Sequence, residues 1–285
     1  MNEEDIAISI AVLYHKPSVI LKNDIYMPLQ VAKPETGINL NMDSDDTLDN
    51  IAFKHPFYSE YSGLYWIWKN VSSDYKGLLH YRRCFTLENS SISYRFKEYC
   101  WFHLKKWLIP IGVRKNSCCT IQIKETLEQS FLKKAYEFSD ELKKIIYSGY
   151  NIIVPIPIRI FPVDVETFYI GIGRDLMEAF KYTVQKINSD FYVYVSRTLK
   201  SNKLYYGNLH VMDVETHNEY CELVFSIFEA LEIEIGKQKI VENLLEEKTC
   251  FRVFGYLGEV LTNAFIIYCK GRKKIKEVAV LYLDN

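Results

Sequence analysis

The chain has 285 residues, enough for one large domain or two small ones, and its 48% hydrophobic and 25% charged composition is that of an ordinary folded globular protein. A formal net charge of -1 argues against a general nucleic-acid binder, so an anionic ligand has to be met by charge gathered locally. Seven cysteines without C-x-x-C spacing, Cys118 and Cys119 being adjacent, fit neither a disulfide framework nor a zinc site and read as the reduced thiols of a cytoplasmic protein.

The N-terminus carries acid where a signal peptide carries base, and no segment reaches the roughly twenty apolar residues of a membrane span. Residues 6–13, IAISIAVL, are a β-branched run of strand length ending in the polar Tyr14, His15 and Lys16. Ligands of open α/β sheets bind beyond the carboxyl ends of strands, which makes His15 and Lys16 candidate nucleotide contacts. Residues 26–30 and 34–41 read as loop. Asp43, Asp45, Asp46 and Asp49 crowd the next turn, as aspartates do when they bond local backbone; a metal-binding loop is the alternative. Asn50 and Lys54, four apart, share a face if this stretch is helical. Tyr61, Leu64, Tyr65 and Trp68 recur at helical spacing behind an expected N-cap at Ser59, while Glu60 and Trp66 fall away from the middle of that stripe.

Residues 75–81, YKGLLHY, predict a strand running into Arg82 and Arg83, with Leu78, His80 and Arg82 on one side if it extends that far. Two arginines at the carboxyl end of a central strand suit a diphosphate, held by bidentate, charge-assisted hydrogen bonds; pairing with the nearby aspartates is the alternative. Residues 89–108 interleave aromatic and basic side chains, as in an amphipathic helix packed on the body, or an interfacial helix or flap. A linker over 110–120, a helix over 123–147 broken near 136–139, and a strand over 151–157 follow. Then come a helix over 165–188, a strand over 203–212 carrying Asn208 and His210, and a helix over 216–231 with the capping box Thr216-x-x-Glu219. The last helix carries Leu257, Leu261, Phe265 and Tyr268 on one stripe, with Glu259 off it. The closing KGRKKIKEV is basic: a solvated end, or a segment drawn to an anionic membrane.

The blocks DNIAFKHPFYSEYSGLYWIWKN, GLLHYRRCF, YGNLHVMDVETHNEYCELVFSIFEALE and RVFGYLGEVL together resemble the bacterial capsular-polysaccharide-synthesis (exopolysaccharide) family, formerly a domain of unknown function and now grouped with glycosyltransferases. The resemblance spans residues 6–267 and is weakest over 88–147. It implies an α/β fold, a GT-A-like nucleotide-sugar-binding mixed sheet flanked by helices, forming a single domain over 1–285 with a variable basic and aromatic insertion at about 88–147. It also implies transfer of a sugar, galactose in pyranose or furanose form, from a nucleotide-diphosphate donor to a growing capsular or lipopolysaccharide glycan. The acceptor is then an oligosaccharide or lipid-linked glycan, met in the cytoplasm with peripheral contact to the inner membrane.

GT-A enzymes commonly end a central strand in D-x-D, whose carboxylates hold Mg or Mn; the corresponding strand here ends His80-Tyr81-Arg82-Arg83. The expectation is therefore a metal-independent transferase without a cofactor. His15, Lys16, Asn50, Lys54, Trp66, His80, Arg82, Arg83 and Asn208 are the expected donor-binding residues, and Glu259, then Glu60, then Asp49 the expected catalytic base. Two alternatives stand beside it: a transferase holding Mg or Mn on the loop from Asp43 to Asp46, and a non-catalytic glycan-binding homologue. Ala52, His55 and Val260 stand where the family pattern has Ser, Asn and Arg, and the latter alternative draws on Ala52 and Val260.

Overall fold

Alternation along the first strand decides the layering. The computed structural model describes residues 6–88, 100, 122–160, 163–237 and 252–284. In it β1 (Ile8–Tyr14) sends Ala11 and Leu13 into one apolar core and Ile8, Ile10, Val12 and Tyr14 into a second on the opposite face. Successive side chains of a strand point to opposite faces, so a run apolar at all but one position, Ser9, is covered on both.

β1 pairs in parallel with β2 (Tyr26–Gln30) and β4 (Tyr75–His80), and β2 carries the short β3 (Asp43–Ser44) at the edge. A turn at Tyr81 and Arg82 leads into β5 (Arg83–Thr86), with His80 facing Arg83. β6 (Gln122–Glu125) and β7 (Ile152–Pro155) lie parallel to β11 (Ile275–Leu283), and β5 antiparallel to it. β10 (His210–Asp213) runs antiparallel between β4 and β7, completing a mixed sheet of nine described strands. β8 (Ile158–Arg159) and β9 (Lys203–Leu204) form a separate ribbon.

The helices are α1 (Lys33–Thr36), α2 (His55–Tyr58), α3 (Tyr61–Asn70), α4 (Glu128–Tyr147), α5 (Val165–Phe168), α6 (Arg174–Ile187), α7 (Ser189–Leu199), α8 (Val214–Lys237) and α9 (Val253–Cys269). One face of the sheet is covered by α4 through Phe131, Ala135, Phe138 and Leu142; α3 and α6 to α9 pack on the other. α9 is buried nearly all round, as a helix without a polar face must be. Tyr61 crosses it closely: a Cβ on Gly258 would lie 2.2 Å from the Tyr61 ring.

Several expectations are corrected. Residues 26–30 are a strand, not a loop; Pro28 is tolerated because the partner on its far side, β3, is only two residues long. Within 34–41, Pro34 opens the short α1, where its missing N–H costs nothing. Ser59 is not an N-cap: at φ 52 it breaks α2 from α3, and Glu60 takes the cap position. The strand over 75–81 stops at His80, so Arg82 lies in the turn and leaves the alternation. The segment 123–147 starts as β6, and α4 is unbroken because Phe138 and Ser139 face the core. The helix over 165–188 is interrupted before Gly173, which sits at φ 93. Only the ends of 203–212 are strands, with Asn208 at φ 56 between them. Asp213, not Thr216, caps α8: its Oδ1 accepts the Thr216 N–H at 2.8 Å. The basic end leads into β11, whose Val278 to Leu281 and Leu283 are buried. The aromatic and basic run over 89–108, residue 100 apart, the linker over 110–120 and Cys118 and Cys119 lie outside the described residues. Among the described residues no helix is long and apolar enough to cross a membrane.

Candidate active site

The parallel strands β1 and β4 end side by side and deliver His15 and His80 with ring centroids 5.8 Å apart. Tyr81 lies beneath both rings, 5.1 Å from His15 and 4.3 Å from His80. The β4–β5 turn adds Arg82 and Arg83; the α2–α3 break adds Ser59 and Glu60; the β9–β10 turn adds Tyr206 and Gly207; and the start of α9 adds Arg252, Gly255, Tyr256 and Glu259. Together they border an open cleft of about 230 Å³. Among the described residues six non-glycine residues have positive φ; of these Ser59 and Arg252 line the cleft and Asn208 braces its wall. Backbone held in such regions costs of order 1–3 kcal/mol per residue, and it gathers where function needs it.

The cleft is cationic. Arg82 lies over the rings of Tyr81 and Tyr282 at 5.2 and 5.7 Å, and Arg83 over Tyr206 and Tyr282 at 5.3 and 5.9 Å. The Nε atoms of both are buried without a hydrogen-bond partner. Held by aromatic faces in this way, the guanidinium groups keep donors for an anion. Burial, then the charge of Arg252, pulls His15 down to about 4. Burial, then Arg83, holds His80 well below its usual range. Both imidazoles are thus neutral at pH 7. The Arg82 N–H donates to His80 Nδ1 at 3.3 Å, which leaves the ring hydrogen of His80 on Nε2.

Across from the arginines stand two carboxyl groups. Glu259, buried on the second turn of α9, accepts from the Gly207 N–H at 3.0 Å through Oε1 and from the Tyr169 hydroxyl through Oε2. Burial pushes it up to about 8, with Glu60 adding to the rise and Tyr169, Gly207 and Arg83 opposing it. Glu60 Oε1 accepts from Asn208 Nδ2 at 2.7 Å. Asn208 is itself locked, its Nδ2 also donating to the Gly255 carbonyl at 3.2 Å and its Oδ1 accepting from Tyr61 and Thr262, each at 3.0 Å.

Of the residues expected from sequence, His15, His80, Arg82, Arg83, Glu60 and Glu259 line the cleft, and Asn208 braces its wall. The other five do not line it. Trp66 is buried and its Nε1 donates to the Thr47 carbonyl at 3.0 Å. Asp49 accepts from the Tyr65 hydroxyl at 3.2 Å, and Asn50 bonds the backbone of Leu48 and Ala52. Lys54 pairs with Glu232 at 2.7 Å, and the Lys16 ammonium stands 5.9 Å from the Tyr81 ring. These contacts brace the 47–70 segment or cover Tyr81.

The Asp43 to Asp46 loop, the alternative metal site, lies apart from the cleft. Asp46 pairs with Lys33 at 3.6 Å, Asp45 is buried and pushed by that burial up to about 6, and none of these side chains lines the cleft. Among the described residues no three His, Cys, Asp or Glu side chains gather as a cation cage. Sequence reasoning left Arg252, His55, Ser59, Tyr206, Gly207 and Tyr256 out of the site. Arg252 and Gly255 had fallen on family motif positions, the one signal that pointed to them. His55 Nδ1 lies 2.6 Å from Glu35 Oε1 at the cleft rim. The two other departures, Ala52 and Val260, are buried away from the cleft.

No curated protein matches the chain. Among solved structures it is similar to the apo structure of the WbbM bifunctional glycosyltransferase, with a TM-score of 0.74 and 23% identity over 98% of this chain and 46% of that one. The chain thus spans about half the length of that protein, and the likeness is one of fold: a mixed α/β architecture shared with a glycosyltransferase structure. A family model described as a domain of unknown function, DUF4422, matches residues 9–270, from β1 to the end of α9. The chain therefore belongs to the DUF4422 family.

Proposed function

We propose that the cleft is the active site of a GT-A-like glycosyltransferase that moves a sugar from a nucleoside-diphosphate donor to a glycan hydroxyl. The observation that carries this reading is a cleft where Arg82, Arg83 and two neutral histidines at the carboxyl ends of β1 and β4 are joined by Arg252 from the start of α9 and faced by two carboxyl groups. The parallel order β3-β2-β1-β4 followed by antiparallel β10 supports the GT-A-like assignment. In the reaction a carboxylate takes the proton of the acceptor hydroxyl, whose oxygen bonds to the anomeric carbon as the bond from that carbon to the phosphate oxygen breaks. The departing diphosphate carries the negative charge, and Arg82, Arg83 and Arg252 are placed to hold it. This clamp occupies the role a metal plays elsewhere, so transfer is proposed to run without one. The family resemblance suggests galactose as the sugar, a capsular or lipopolysaccharide glycan, free or lipid-linked, as acceptor, and the cytoplasmic face of the membrane as the place.

Calorimetric titration of the chain with a panel of nucleotides and nucleotide sugars in excess EDTA tests this. One donor should bind and be turned over. Arg82→Ala or Arg83→Ala should each weaken it about 10- to 150-fold, the loss of a charge-assisted hydrogen bond of about 1.5–3 kcal/mol. Affinity for glycans without affinity for any nucleotide would overturn the reading in favour of a glycan-binding homologue; turnover restored only by Mg or Mn would return the metal.

A further inference from the structure

We propose, resting on the transferase reading, that the two carboxyl groups of the cleft have separate duties. Glu60 is the base that takes the acceptor's proton, and Glu259 is a positioning residue that works as a neutral carboxylic acid.

The geometry separates them. Oε1 of Glu259 accepts from the Gly207 N–H of the β9–β10 turn, its Oε2 meets the Tyr169 hydroxyl of the α5–α6 connection, which accepts the O–H of the neutral acid, and the side chain is buried. Those bonds hold the turn that carries Asn208, and Asn208 in turn holds Oε1 of Glu60. Glu60 itself stands half-buried on the cleft wall, anchored through one oxygen. Its Oε2 faces the bare Cα of Gly255, where a Cβ would lie 3.4 Å away, so the space beside it is kept open. The charged and titratable groups facing Glu259 are Glu60 from the α2–α3 break, Tyr169 from the α5–α6 connection and Arg83 from β5. Tyr206 also stands within reach of Tyr169. Two neighbouring carboxyl groups do not readily ionise together, and the buried one keeps its proton: burial and Glu60 raise Glu259 to about 8. In the transfer step the acceptor O–H bond breaks, its proton passes to Glu60, the oxygen bonds to the anomeric carbon, and the nucleoside diphosphate leaves; Glu259 neither gains nor loses a proton.

The test is the pH–rate profile of the whole chain, with the donor identified by the titration above, for the wild type and three variants. Glutamine mimics a neutral glutamic acid. Glu259→Gln should keep kcat within about tenfold and lose the alkaline fall that the wild type shows as Glu259 ionises near pH 8. Glu60→Gln should lower kcat by about 10²- to 10⁴-fold, the usual worth of a general base, with donor Kd changed less than threefold. Tyr169→Phe covers the case of a poorly folded Glu259→Gln: it removes the donor that favours ionised Glu259, so the alkaline fall should move to higher pH. The inference is overturned if Glu259→Gln is as inactive as Glu60→Gln while its Tm matches the wild type, if Glu60→Gln retains its rate, or if Tyr169→Phe leaves the alkaline limb in place. A wild type that turns over no nucleotide sugar refutes the transferase reading itself.

Discussion

Gly258→Ala tests whether packing inside α9 sets the geometry of the cleft. The new Cβ would meet Cε2 and Cζ of Tyr61 at 2.2 Å and its hydroxyl oxygen at 2.3 Å, well inside the 3.4 Å at which ordinary contact begins. Tyr61 has little room to yield: it is fully buried, with Phe228 5.1 Å and Phe225 6.4 Å away between ring centroids. Its hydroxyl lies 3.0 Å from Asn208 Oδ1, 3.1 Å from Tyr220 and 3.1 Å from Thr262. Overpacking costs about 1–3 kcal/mol, and a buried polar group left unpaired costs about 1–3 kcal/mol more. The expected loss is therefore about 2–6 kcal/mol. Urea unfolding should show a lowered midpoint at an unchanged slope, and turnover should fall beyond the stability loss because Asn208 no longer fixes Glu60. A destabilisation under about 1 kcal/mol with full turnover would refute the coupling of α9 packing to the cleft.

Two further outcomes follow from the buried groups. His210 is buried and its pKa drawn down by that burial to about 4 against an ordinary 6.5, so on acidification the unfolded chain takes up its proton first. Its contribution is complete above pH 6.5 and disappears toward pH 4, at most about 3 kcal/mol; His217 acts in the same direction. Glu259 has the opposite sign, its stabilisation being lost as pH rises through about 8. Denaturant midpoints from pH 4 to 9 should show a shallower acid slope in His210→Gln; an identical slope counts against the assignment. Trp66→Phe should lower stability by about 1 kcal/mol through the lost bond to Thr47 and leave donor affinity unchanged; a tenfold weaker donor would place Trp66 in the site after all.

The arginine pair after a central strand was legible because adjacent like charges at that place have few structural uses, and the cleft includes both Arg82 and Arg83. The carboxyl groups Glu60 and Glu259 were legible because each falls off the apolar stripe of its helix. The same logic singled out Trp66, but a residue off one apolar stripe is also one that packs on a second surface, here against Thr47. Asp49, Asn50 and Lys54 share the motif-rich block, yet they serve the local chain, and spacing along a sequence does not tell bracing from binding.

Periodicity by itself determined the long elements whose pattern is local: β1, β4, α3, α8 and α9. It failed for β2 and β11, because Pro28 and a basic lead-in obscure strands that are made by neighbours distant in the chain. Tertiary structure alone decided that Arg252, His55, Tyr206 and Tyr256 share a cleft with His15 and His80, since that cleft is assembled from six separate stretches of the chain. It also set the direction in which the pKa of Glu259 and of His80 moves, because burial and the charge of neighbours brought close by folding shift the balance between charged and neutral forms. The sequence named the chemical groups; folding determined their company.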